Sequence, residues 1–393
     1  MNLLLKALLG GAFLISCAAG PQEPVLPGDT RMDEYLPLLE GRRVALFSNQ
    51  TGLVPGKGHI LDCLLQRGVN VTAIFSPEHG FRGTADAGAH VASDTDPITG
   101  IPILSLYGKR SRPSKEDMER FDVLVADIQD VGLRFYTYYI TLCRLMDACG
   151  AAEKPLVLLD RPNPNGDYVD GPLLDMNLKS GVGALPIPVV HGLTLGELAL
   201  MAKGEKWLQE GNDCQLTVIP CSGYTHGTRY TLPVAPSPNL PNQQAVDLYP
   251  SLCLFEGTVV SLGRGTSKPF QQYGHPALKV KYSYSFIPRS MPGATNPPLK
   301  DQECFGRDLS DLSHEEIHQS GLDLSYVIDA YSALKEQGLA EGFFSRFFDL
   351  LAGQTYVREM IEAGCSAQEI KQRWVPDTEQ FKKQRKPYLL YPE

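Results

Sequence analysis

Positive charge is scarce in this chain. Its 393 residues carry 36 Lys and Arg against 45 Asp and Glu, a net charge of −9, which offers no basic field to a nucleic acid or any other polyanion. Long apolar runs are missing as well: beyond the first twenty residues no stretch could cross a bilayer. The familiar signatures of nucleophile and cofactor chemistry are absent. There is no G-x-S-x-G elbow, no G-x-x-x-x-G-K-[ST] phosphate loop and no G-x-G-x-x-G, Gly181-Val182-Gly183 being only a fragment. No two cysteines have zinc-ribbon spacing, and no internal repeat is visible. A hydrophobic content of 43% with 21% charged residues is that of an ordinary globular protein, long enough for two domains.

The opening residues read as an export signal. Lys6 precedes an apolar stretch, Ala7 to Ile15, that is too short to span a membrane. Leu14-Ile15-Ser16-Cys17 then has the form of a bacterial lipobox, in which the cysteine sulfur is lipidated and the chain is cut before it. Several acyl chains hold a protein at a membrane far better than one. No acidic residue follows Cys17 that would retain the protein at an inner membrane. The expectation is a signal peptide over residues 1–17 and a tether over 18–40, rich in Pro and Gly at its start. The body would be anchored by lipid in the cell envelope, facing the periplasm, on the outer membrane if the cell is diderm. Eight cysteines remain after Cys17, scattered and mostly in apolar surroundings, which fits buried thiols as well as disulfides.

From about Arg42 to Pro220, β-branched runs alternate with amphipathic segments. The runs are Val44–Ser48, Val71–Phe75, Ile101–Leu106, Val123–Ile128, Leu156–Asp160, Ile187–Val190 and Leu216–Ile219. Helical patterns lie between several of them, at Ile60–Gln66, Lys115–Arg120, Thr137–Cys149 and Leu195–Ala202, the last preceded by a capping box from Thr194 and Glu197. Near-continuous apolar strands separated by helices predict an α/β fold with a parallel sheet covered on both faces. The Pro-dense stretch Leu232–Gln244 breaks the pattern. Beyond it a strand at Lys279–Phe286 and helices at Leu324–Glu336 and Glu341–Leu351 suggest a second, α+β region. The expected domains are 41–234 and 235–393.

In open α/β sheets ligands sit beyond the carboxyl ends of the strands, so the residues that follow each predicted strand are the first candidates. Asn49 follows the first. The second leads into Ser76-Pro77-Glu78-His79-Gly80-Phe81-Arg82-Gly83. Asp130 and Arg134 follow the fourth, Asp160 closes the fifth, and His191 follows the sixth. Glu78 stands out, because Pro77 stiffens the turn and a carboxyl at the end of a buried strand is partly withdrawn from water, which suits it to donating a proton. His79, Asp130 and Asp160 are equally explained as turn or sheet-edge residues satisfied by backbone hydrogen bonds. Arg82, Arg134 and Arg264 could clamp a carboxylate or pair with nearby aspartates. His314-Glu315-Glu316-Ile317-His318 matches H-E-x-x-H, but Ser313 and Glu316 form a capping box. The first His therefore sits in the opening turn, and Glu316 fills a position that a zinc-protease helix keeps apolar.

Several longer motifs resemble one family. FSNQTGL (Phe47–Leu53), FSPEHGFRG (Phe75–Gly83), DIQDVGLRFYTY (Asp127–Tyr138), LDRPNPNG (Leu159–Gly166), HGLTLGELA (His191–Ala199), SPNLP (Ser237–Pro241) and FEGTVVSLGRGTSKPF (Phe255–Phe270) are similar, in order, to the exo-acting β-N-acetylmuramidases of the NamZ family. The resemblance runs from about Gly41 to the C-terminus. It implies a Rossmann-like domain with a smaller C-terminal domain and an active site in the cleft between them. It also implies release of terminal N-acetylmuramic acid from the non-reducing end of peptidoglycan fragments, with no metal or organic cofactor. The Glu of the family's S-P-E-H-G motif, its proposed catalytic residue, falls on Glu78.

Glycosidic cleavage needs a proton donor and a second group at the oxocarbenium-like centre. Asp130, Asp160 and Glu256 are candidates for the second role, as is the substrate's own acetamide. Arg82, Arg134 and Arg264 compete for the lactyl carboxylate of muramic acid, and Asn49, His79 and His191 for its other polar groups. Two rivals stay open: a glycan-binding lipoprotein without catalysis, and a metal-dependent hydrolase using His314 and His318 or a site around His79 and His191.

Overall fold

The computed structural model describes residues 24–78, 80–82, 94–108 and 110–393. Cys17, His79 and the first part of the expected tether lie outside the described residues. The strands are β1 (Arg43–Ser48), β2 (Leu53–Val54), β3 (Gly58–His59), β4 (Asn70–Ser76), β5 (Asp94–Thr95), β6 (Pro102–Ser105), β7 (Val123–Asp127), β8 (Leu156–Leu159), β9 (Leu216–Ile219), β10 (Gln272–His275), β11 (Tyr284–Phe286) and β12 (Cys304–Asp308). Seven of them form one sheet in the order β5-β6-β4-β1-β7-β8-β9, parallel except for β5 at the edge. Counted along the chain, the parallel strands lie in the order third, second, first, fourth, fifth, sixth, which is the doubly wound Rossmann arrangement.

Strand alternation divides the core in two. Val44, Leu46, Val123, Val125, Val157 and Leu159 face the helices Met32–Leu39 and Ile60–Gln66. Ala45, Phe47, Leu124, Ala126, Leu156 and Leu158 face the helices Tyr138–Ala151 and Leu195–Gly204. The second cluster continues without a break into the C-terminal region, through Phe255, Tyr273, Phe348, Trp374 and Phe381. That region holds a small antiparallel sheet, β10-β12-β11, and a run of helices.

The end of the chain returns to the large sheet. Trp374, in the helix Ala367–Arg385, donates from Nε1 to Asp170 Oδ1 at 2.8 Å. Arg385 donates to the carbonyls of His191 and Gly192. The Leu390 N–H bonds Glu197 Oε1 at 2.8 Å, and the Tyr391 hydroxyl bonds Asp160 Oδ2 at 2.6 Å.

Four expectations need correction. Ile187–Val190 is not a strand, because Pro186 and Pro188 have no N–H to give a ladder; only isolated bridges form at Val190. Lys279–Phe286 is a strand only from Tyr284, since Pro276 starts a 3₁₀ turn that runs to Val280. The helix expected from Glu341 begins at Arg346, after a left-handed Gly342. The reach expected as tether is part of the fold from Val25 onward: Leu26 bridges Ser222, Asp29 and Tyr35 are fully buried, and Met32–Leu39 is helical.

All eight cysteines among the described residues are free thiols. No helix among those residues is long and apolar enough to cross a membrane.

Candidate active site

Segments far apart in the sequence meet around an open cavity of about 820 Å³. Glu78 enters from the turn after β4, which Gly80 completes in the left-handed region, its N–H bonding the Pro77 carbonyl at 3.1 Å. Tyr136, Thr137, Tyr138 and Arg144 come from the loop after β7 and the helix that follows it. Asn239 belongs to the Pro-dense stretch, Glu256 to the 3₁₀ turn Cys253–Gly257, and Arg264 to the loop before β10. The cavity is therefore walled by the sheet domain on one side and the C-terminal region on the other.

Its charges are arranged around two carboxylates. Glu256 is bridged to Arg264 at 2.6 Å, each side chain about a fifth exposed (21% and 22%). Burial raises the Glu256 carboxyl above its ordinary value, Arg264 opposes this, and the negative charge of Glu78 adds to it. Thr137 Oγ1 lies 3.5 Å from Glu78 Oε2. The Tyr136 and Tyr138 hydroxyls both donate to the Pro236 carbonyl, at 2.9 and 3.3 Å. Burial above all keeps the Tyr138 phenol protonated, and the charge of Glu78 reinforces that. Arg264 also lies over the Phe270 ring, 5.5 Å from its centroid.

Of the residues expected at the site, the lining holds Glu78, Glu256 and Arg264. Asn49 stands one step behind it: its Oδ1 closes the turn by accepting from Thr51, and its Nδ2 donates to the Tyr138 hydroxyl at 3.0 Å. Five other candidates lie outside that lining and are engaged elsewhere. Arg134 is wholly buried, its guanidinium spent on the carbonyls of Pro172, Ile187, Leu351 and Ala352 at 2.7–3.0 Å. Asp160, also fully buried, accepts from Thr194 Oγ1, the Gly196 N–H and the Tyr391 hydroxyl, anchoring the start of Leu195–Gly204. His191 is buried and held neutral, pushed down to about 3 by burial and by the charges of Arg385 and Arg134. Arg82 pairs with Asp96 and lies beside the Phe81 ring, outside the lining. Asp130, raised to about 7 by burial, receives the Gly132 N–H at 2.7 Å and does not reach the cavity wall.

Arg144, Tyr136, Tyr138 and Asn239 were missed. A signal existed: Thr137, Thr141 and Arg144 recur at helical spacing, so one face of a predicted helix carries polar groups towards the strand ends.

Two profiles described as the N- and C-terminal parts of the exo-β-N-acetylmuramidase NamZ match residues 44–244 and 247–391. The chain belongs to the NamZ family. The chain is 36% identical over 379 residues to the peptidoglycan β-N-acetylmuramidase NamZ of Bacillus subtilis (strain 168), covering 92% of this chain and 90% of that one. Two crystal structures of DUF1343 family proteins from Bacteroides fragilis share the architecture. One superposes with a TM-score of 0.88 at 57% identity, over 94% of this chain and 99% of that one. The other does so at 0.79 and 27%, over 94% and 100%. Against the NamZ profiles, Glu78 falls in the N-terminal part and Glu256 in the C-terminal part, so the cavity is built across both.

Away from the cavity, His314, His318 and Asp247 place potential metal-ligand atoms within 4.8 Å of one another. His314 Nδ1 meets Asp247 Oδ2 and His318 Nδ1 meets Asp167 Oδ2, both at 2.9 Å. Burial disfavours charge on His318, but hydrogen bonds to Asp167 and Asp247 outweigh it and lift the imidazole to about 9. A pKa raised above the ordinary 6.5 contributes stability that is complete below pH 6.5 and is lost as pH rises through 9. The gap sets a ceiling of about 3 kcal/mol. Melting curves between pH 6 and 10 should show wild type losing stability in that window and His318→Gln losing much less; parallel curves would remove the ion pair from the account.

Proposed function

We propose that this protein is an exo-acting hydrolase that releases terminal β-linked N-acetylmuramic acid from the non-reducing end of peptidoglycan fragments. The observation that carries this reading is the meeting of Glu78 with the Glu256–Arg264 pair on one cavity. The kinship with a peptidoglycan β-N-acetylmuramidase supplies the substrate class. In this mechanism Glu78 protonates the departing glycosidic oxygen. Glu256, which Arg264 favours as a carboxylate, stabilises the positive charge that grows at the anomeric carbon. Aromatic rings of the wall give the apolar faces of the sugar a surface to rest on. We place the enzyme in the cell envelope, tethered through Cys17; in fractionated cells Cys17→Ala should then move it from the membrane to the soluble fraction.

The test is release of a chromophore from an aryl β-N-acetylmuraminide, with the aryl β-N-acetylglucosaminide beside it. The expected outcome is muraminide-selective turnover that survives EDTA, since the His314–His318 cluster lies off the cavity. A protein that binds muramyl saccharides but cleaves neither glycoside would instead be a glycan-binding lipoprotein. Activity lost to EDTA and restored by a divalent ion would favour the metal-dependent reading.

A further inference from the structure

Among the described residues the cavity wall carries two guanidinium groups, and they are in opposite states. Arg264 is neutralised by Glu256 at 2.6 Å. Arg144, half-buried, has no hydrogen-bond or ion-pair partner among the described residues. Its cation is disfavoured first by burial and then by the positive charge of Arg112, with no carboxylate beside it to compensate. Arg112 is itself engaged, by Gln209 Oε1 at 2.7 Å and by Asp147 Oδ2 at 3.6 Å. A partly desolvated, uncompensated cation on a cavity wall is an electrostatic vacancy that an anion fills with gain on both sides.

We propose that Arg144 is the specificity-determining residue of this site, holding the lactyl carboxylate of the terminal muramic acid. The inference rests on the reading of the cavity as a muramidase site. N-Acetylmuramic acid differs from N-acetylglucosamine by one lactyl ether, and the carboxylate of that ether is the only charge on the sugar. Discrimination therefore falls to whichever cation in the cavity is still uncommitted. Arg82 is taken by Asp96 and Arg134 by backbone carbonyls. Arg144 projects from the helix Tyr138–Ala151, whose first turn also presents Tyr138 to the cavity. One rigid element thus places the carboxylate anchor and part of the sugar-binding wall at a fixed separation.

The experiment compares kcat and KM for the aryl muraminide and for the same compound with its lactyl carboxylate as the methyl ester. Wild type, Arg144→Gln and Arg144→Lys are run side by side, with melting temperatures as the fold control. The expected result is that Arg144→Gln loses roughly 10- to 100-fold in kcat/KM on the acid, mainly through KM. On the ester it should match wild type, and Arg144→Lys should recover part of the loss. Equal losses on acid and ester in a folded Arg144→Gln protein would make the residue merely structural and overturn the inference. If wild type cleaves neither the acid nor the ester, the muramidase reading itself has failed, and the inference falls with it.

Discussion

Replacing Glu78 with Gln should lower kcat/KM on an aryl muraminide by roughly 10²–10⁴-fold, the range for loss of a positioned general acid, while the melting temperature stays put. Gln keeps the shape of the side chain and its capacity to accept from Thr137, so folding has little to register. What disappears is the proton. The size of the loss should depend on the leaving group: a phenol acidic enough to depart unaided needs no acid, and with a dinitrophenyl glycoside the deficit should shrink sharply. A uniform deficit across leaving groups would show that Glu78 binds the sugar and another group supplies the proton.

Arg161→Met should destabilise the protein by about 3–5 kcal/mol, the range for removing one partner of a buried ion pair. Arg161 is 3% exposed and joins two fully buried carboxylates, donating from Nε to Asp127 Oδ1 and from Nη2 to Asp29 Oδ2, each at 2.6 Å. Asp29 already stands at about 7, raised by burial and by Asp127, with Arg161 opposing. Without the guanidinium, two neighbouring carboxylates face each other in the core, and taking up a proton relieves them. The deficit measured by denaturant unfolding should therefore be larger at pH 8 than at pH 5. A loss below about 1 kcal/mol at both pH values, as at an exposed pair, would mean the triad is far wetter than its burial implies.

Six of the seven expected strands of the first half are present, most of them because burial on both faces of a parallel sheet dictates an apolar run; the edge strand Leu216–Ile219 is only partly buried. The seventh failed on its two prolines, a local rule that outranks β propensity. Glu78 and Glu256 were legible as site residues because strand ends and family motifs point to them. Arg134 and Asp160 follow strands too, and His191 follows a run that is not one, yet all three side chains are buried away from the cavity. Local sequence does not say which polar side chain faces the cavity and which one satisfies buried carbonyls, since the partners of Arg134 at Leu351 and Ala352 are more than two hundred positions away. The helix Ala367–Arg385 was not anticipated, although Ser366 and Glu369 spell its capping box. Its apolar stripe is narrow, and a charged face dominates its composition.

The return of Leu390 and Tyr391 to the large sheet bears on how the fold is completed. Tyr391 follows Asp160 by 231 positions and Leu390 follows Glu197 by 193. Until that segment arrives, the buried carboxylates lack two of their bonds, and Thr194, Gly196 and His226 supply the others. A protease that cuts just ahead of Leu390 therefore strikes the centre of the sheet domain, a long way from the cut in sequence.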